Sequence, residues 1–121
     1  MKPYADRPFP AAEGMAAKDI LLLAGKTLAT AAHFTQGALA RDASGRPCQP
    51  DSIRAKSWDA IGVLYGVSRC KLTAPINGVM AALAGVDLAA CRLHRKTIRA
   101  VNDELGHEAA LNCLRLAWRR A

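Results

Sequence analysis

Aromatic side chains are scarce in this sequence: two Phe, two Trp and two Tyr, 5% of 121 residues. That argues against a core of stacked rings. It leaves alanine-rich helices in close approach as the way to bury a chain that is 51% apolar. Long hydrophobic runs are missing too. The most apolar segments, residues 20–25 and 79–86, fall far short of the roughly 20 residues a membrane-spanning helix needs. No basic stretch leading into a long apolar one opens the chain, so we expect a cytoplasmic protein with no membrane partner. There is no Cys-x-x-Cys pair, and Cys48, Cys70, Cys91 and Cys113 read as reduced thiols packed among alanines. Acids are few: ten Asp and Glu stand against 17 Lys and Arg, a formal net charge of +7. Such an excess raises association with acidic partners, whether nucleic acid, protein or an anionic surface.

A chain of this length forms one core without metals or disulfides, and 22% charged residues is ordinary for a folded domain. We expect a mainly α protein of about five helices with one short β-hairpin near residues 35–49. Residues 1–10 carry three prolines and predict an extended arm, which Tyr4 and Phe9 would anchor. Residues 11–121 then form a single helical domain. Helical spacing of Ile20, Leu23, Ala24, Thr27, Leu28 and Ala31 predicts a first helix over residues 11–32. Residues 35–42 read as a strand, Asp42 to Gly45 as a turn, and Pro47 as the edge after it. A second helix opens at Pro50 with Asp51 or Ser52 as its cap. It turns Ala55, Trp58, Ile61, Gly62 and Tyr65 inward and ends near Gly66. A third helix, from Thr73 to Ala84, stops at Gly85. Asp87 caps a fourth that runs to Glu104, with Cys91, His94, Ile98, Val101 and Leu105 on one face and Arg92, Arg95, Lys96 and Arg99 on the other. A last helix from Glu108 to Arg120 buries Ala110, Cys113, Leu114 and Ala117.

Several motifs invite chemistry. Gly25-Lys26-Thr27 has the ending of a phosphate-binding loop, but position 20 is Ile where that motif needs glycine, and the lead-in is helical. Cys91, His94, His107 and Cys113 follow C-x2-H-x12-H-x5-C, and two thiolates with two imidazoles suit Zn²⁺. Core thiols and a hydrogen-bonded histidine explain the same residues on inward helix faces, so no metal and no cofactor is assigned. The histidines are scattered, and no Ser or Cys sits in a nucleophile elbow. Asn102, Asp103, Glu104 and His107 cluster at a helix junction, where caps and turns account for them. No catalytic residue is assigned. The strongest functional feature is a basic face made of Arg92, Arg95, Lys96 and Arg99 with Arg115 and Arg119, because residues 92–121 hold seven Lys or Arg against three acids. A helix-turn-helix is disfavoured by Asn102 and Asn112 at positions that want packing residues. At the hairpin corner, Gln36, Arg41 and Arg46 have no local role and form a second candidate contact.

Gln36-Gly37, Trp58, Gly62 and Asn102-Asp103 follow a pattern that resembles a family of small bacterial and phage-encoded proteins of unknown function. The resemblance covers about two thirds of the chain. It departs at His33-Phe34, where that family has Gly-Trp, and at Asp59, where it has Cys. It implies the order of elements and a single domain, and no activity. We therefore expect a non-enzymatic cytoplasmic protein that binds a macromolecular partner. A protein is favoured, in the manner of regulators and inhibitors carried by mobile elements. Nucleic-acid binding through the basic face is the alternative, and a small metal-dependent enzyme the second. A homodimer would be a further way to complete an aromatic-poor core.

Overall fold

The computed structural model describes residues 15–121. The expected arm over residues 1–10 lies outside them, as does the start of the expected first helix. The chain is mainly α with one pair of antiparallel strands. Helix α1 spans Ala17–Leu28, strand β1 Ala40–Asp42 and strand β2 Ala55–Trp58. Helix α2 spans Gly62–Ser68, α3 Asn77–His94, the short α4 Ile98–Ala100, and α5 His107–Arg120. A π turn over Val101–Leu105 continues α4.

Helices α1, α3 and α5 form a three-helix core in which each touches the other two. Lys18 Nζ reaches the Ala121 carbonyl at one end of α1, and His107 contacts the Leu28 carbonyl at the other, so α1 and α5 run antiparallel. Ile20, Leu21, Ala24 and Leu28 of α1 meet Val79, Ala82, Val86 and Ala89 of α3 and Ala110, Leu114 and Ala117 of α5 in one buried cluster. The small residues set the spacing: Gly85 of α3 sits directly against Ala117 of α5. The α5 inward set is as expected. The α1 stripe is rotated: Leu21 is buried in place of Leu23, and Leu22 and Leu23 stay on the outside.

Several expected boundaries are wrong, and the first concerns a glycine. Gly85 does not stop a helix. Residues 77–94 form one helix of about 27 Å, whose continuous burial outweighs the roughly 1 kcal/mol that an interior glycine costs. The helix ends instead at Arg95, held in the left-handed region at φ 56° with its N–H on the Cys91 carbonyl. Asp87 caps no helix of its own. Its Oδ1 accepts the Ile98 N–H at 2.8 Å, and Thr97 Oγ1 accepts that of Ala100, so both start α4.

The second correction concerns residues 50–61. The turn at Asp42 to Gly45 forms as expected, with Gly45 at φ 86°, and Arg41 bridges Pro47 beyond it. The longer partner of β1 is β2, which comes from the segment expected to begin a helix: Ala40 pairs with Trp58, Arg41 with Ser57 and Asp42 with Ala55. Asp59, not Asp51 or Ser52, caps α2. Its Oδ1 accepts the N–H groups of Gly62 at 2.6 Å and Ile61 at 3.0 Å. Gly66, expected as the end of this helix, lies inside α2, and Trp58, whose indole N–H donates to the Pro50 carbonyl, occupies the space a Cβ there would need.

Candidate functional site

Gln36, Gly37, Asn102 and Asp103 converge at one polar junction. Asn102 is 1% exposed and is turned inward by the π turn. Its Oδ1 accepts the Ala60 N–H at 2.9 Å, and its Nδ2 donates to the Thr35 carbonyl at 3.1 Å and to Asp103 Oδ1. Asp103 Oδ1 also accepts the Gly37 N–H, while Gln36 Nε2 donates to the carbonyls of Asn102 and Asp103. Arg41 closes the far side, with Nε on Thr35 Oγ1 and its terminal nitrogens on the carbonyls of Gln36 and Gly45. Each of these groups bonds to a main-chain partner, and among the described residues no buried side-chain N or O lacks one. The junction therefore stitches residues 34–42, the start of α2 and the π turn into one unit. Gln36 and Arg41, expected to face a partner, hold this unit together. Arg46 stays exposed.

Asp59 carries the main electrostatic cost of that arrangement. Burial raises its carboxyl from 3.8 to about 6, against the opposing pull of the Gly62 and Ile61 N–H groups and of Arg99, with Asp103 adding to the rise. A carboxyl whose folded pKa lies above its unfolded value holds its proton more tightly when folded. Its contribution is therefore most favourable below about pH 4, declines as pH rises through about 6 and is level above. Asp59→Asn keeps the capping oxygen and removes the charge. We expect it to be more stable than wild type at pH 7 by roughly 2 kcal/mol, with the difference vanishing towards pH 4. Urea unfolding of both proteins between pH 4 and 8 measures this, and a pH-independent difference would refute it.

Cys91, His94, His107 and Cys113, whose spacing approximates a zinc site, do not come together. Cys91 is exposed on α3, while Cys113 is buried in the core, where burial pushes its thiol up to about 11. That favours a protonated, inert thiol. His107 packs on Phe34 at 5.0 Å between ring centroids, and its Nε2 contacts the Leu28 carbonyl. His33 Nδ1 lies 3.1 Å from the Thr27 carbonyl, so two imidazoles cover the end of α1. Among the described residues no group of three or more His, Cys, Asp or Glu could hold a metal. Leu105, expected inward with Cys91 and His94, is exposed.

The expected basic stripe is also divided. Arg92 lies in the last turn of α3, Arg95 is its left-handed cap, Lys96 pairs with Glu104 at 2.9 Å and Arg99 lies on α4. Because the helix ends at Arg95, these four do not form a single helical row. Arg115 and Arg119 belong to a different surface, a groove of about 340 Å³ between α1 and α5. Leu21, Leu22, Gly25, Ala29 and Trp118 line it, with Lys26, Arg115 and Arg119 as its cations. Leu22 is 38% exposed there, and Trp118 is half-buried with Lys18 Nζ 5.1 Å from its ring centre. No carboxylate of the described residues pairs with the three groove cations. Helical spacing alone does not reveal this groove, since Leu22 and Lys26 meet α5 only through the antiparallel packing of α1 against it. No helix among the described residues is long and apolar enough to cross a membrane. Comparison with protein-family models, with curated proteins and with solved structures finds no match to any of them.

Proposed function

We propose that this chain is a non-enzymatic cytoplasmic binding protein whose partner is another protein, held in the groove between α1 and α5. The observation that carries this is the combination of an apolar floor with three cations that no described carboxylate neutralises. Tryptophan and arginine are the side chains that most often anchor protein interfaces, and Trp118 stands here between Arg115 and Arg119 over an apolar floor that excludes water. A phosphate backbone calls for cations and has little use for the leucine floor, which ranks nucleic acid second. The polar junction supports the same reading, since its side chains bond to the chain's own backbone and are not arranged around a space for a substrate.

Leu22→Asp tests it, because Leu22 is exposed enough to tolerate the change. In affinity capture from a lysate of the native cells, we expect wild type to retain a specific protein after nuclease treatment and Leu22→Asp to lose most of it. Material that nuclease strips from wild type would overturn the reading in favour of nucleic acid. Equal retention by the variant would remove the groove from it.

A further inference from the structure

We propose that the groove takes an acidic amphipathic helix of the partner, seated with one of its side chains over Gly25. This rests on the protein-binding reading above and names the chemistry of what binds.

Gly25 is the pivotal residue. It lies within α1, where glycine is the least favoured residue apart from proline. Of the four other helical glycines, three are imposed by the chain's own packing: a Cβ on Gly62 would strike the Leu39 carbonyl, one on Gly66 the Trp58 indole and one on Gly78 the Met15 carbonyl, while one on Gly85 would reach Ala117 at an ordinary contact distance of 3.8 Å. At Gly25 a Cβ would meet nothing within 4 Å among the described residues, and the cleared space opens into the groove. The packing of the described residues therefore gives no reason for a glycine here. A side chain arriving from outside does, because it needs close approach to the α1 backbone.

The rest of the groove defines that visitor. Gly25, Lys26 and Ala29 follow Leu22 by three, four and seven residues along the last two turns of α1 and its C-cap, facing Arg115, Trp118 and Arg119 on α5. A floor of this form fits about two turns of a helix with apolar residues at i, i+3 or i+4, and i+7. Lys26, Arg115 and Arg119 call for Asp or Glu on its flanks. A second copy of this chain is disfavoured, since two such cationic grooves repel and the chain carries a net charge of +7.

The test titrates the full chain with a fluorescein-labelled peptide that has Leu at i, i+3, i+4 and i+7 and Glu at the flanks, read by anisotropy. Two controls carry Lys for Glu, or the same residues in scrambled order. We expect the acidic amphipathic peptide to bind at least about tenfold more tightly than either control. Gly25→Ala fills the cleared space. It is expected to raise Tm by about 2–5 °C and to weaken the peptide about fivefold or more, two changes of opposite sense that a purely structural glycine would not produce together. Lys26→Glu with Arg115→Glu is expected to weaken it more than tenfold and to reduce its salt dependence.

A Gly25→Ala protein that gains stability and keeps full affinity would overturn the proposal. So would tighter binding to duplex DNA or to phosphatidylserine vesicles that Lys26→Glu abolishes, or a dimer in equilibrium sedimentation that Gly25→Ala dissociates. If the peptide fails to bind while Leu22→Asp still loses the partner captured from lysate, the acidic helix falls and protein binding stands. If both fail, both fall.

Discussion

Truncating Asn102 to alanine is expected to lower the free energy of unfolding by about 3–5 kcal/mol and Tm by roughly 15 °C. Domains of this kind are stable by about 5–15 kcal/mol in total, so the loss is a large share of it. The magnitude follows from what the side chain satisfies. Its Oδ1 accepts the Ala60 N–H and its Nδ2 donates to the Thr35 carbonyl, and Asn102 is 1% exposed. Removing the amide leaves two main-chain groups without partners, each costing about 1–3 kcal/mol, and opens a small cavity beside them. Asn102→Asp is a sharper control. It retains the acceptor for Ala60 and replaces the donor with a charge beside Asp103 and Asp59. It should destabilise at pH 7 about as much as alanine. Urea midpoints for both proteins measure this, and a loss below about 1 kcal/mol for Asn102→Ala would show that the junction does not hold the β-pair to the helices.

Gly62→Ala should have a comparable effect for a different reason. A Cβ at this position would collide with the carbonyl oxygen of Leu39, which also accepts the Asp59 N–H at 3.1 Å. The obstacle is main chain and cannot rotate away, so either β1 moves off β2 or α2 loses its Asp59 cap. Losses above about 4 kcal/mol belong to such cases, and we expect one here. The contrast with Gly25 is diagnostic. The same substitution in another helix of the same protein should stabilise, because at Gly25 no described atom stands in the way. Thermal unfolding of the two variants beside wild type decides it, and a stable Gly62→Ala protein would mean that the approach of residue 39 to α2 is looser than described.

These two residues show which part of the chain could be read in advance. Asn102 and Gly62 both stand out in the sequence. Local reading assigned Asn102 to a cap or turn and Gly62 to a packed helix face. The partners that give each its weight, Thr35 and Ala60 for one and Leu39 for the other, lie 67, 42 and 23 residues away in sequence. The functional candidates divided in the same way. Arg115 and Arg119 line the groove as members of α5, whose periodicity was plain, but Leu22, Lys26 and Gly25 join them only because α1 lies antiparallel beside it. Gln36 and Arg41 were exposed candidates with no local role. The structure gives both long-range or loop-closing hydrogen bonds that no spacing rule anticipates.

By itself the sequence determined that this is a mainly helical chain, because so few aromatics and so many alanines leave helix packing as the available core. It also determined α5 and the turn at Asp42 to Gly45, since helical periodicity and turn chemistry act within a few residues. The tertiary structure decided where helices begin and end. Gly66 and Gly85, expected as stops, lie inside helices that burial keeps intact, and the real ends fall on Arg69 and Arg95, which enter the left-handed region without the usual glycine. It also decided that residues 55–58 pair with β1 and do not open a helix, because Thr35, Leu39 and Ala40 supply the bonds that an extended backbone there requires. A glycine weakens a helix by about 1 kcal/mol wherever it stands, whereas continuous burial along a helix amounts to several times that. Only the folded chain reveals which of those two energies prevails at a given position.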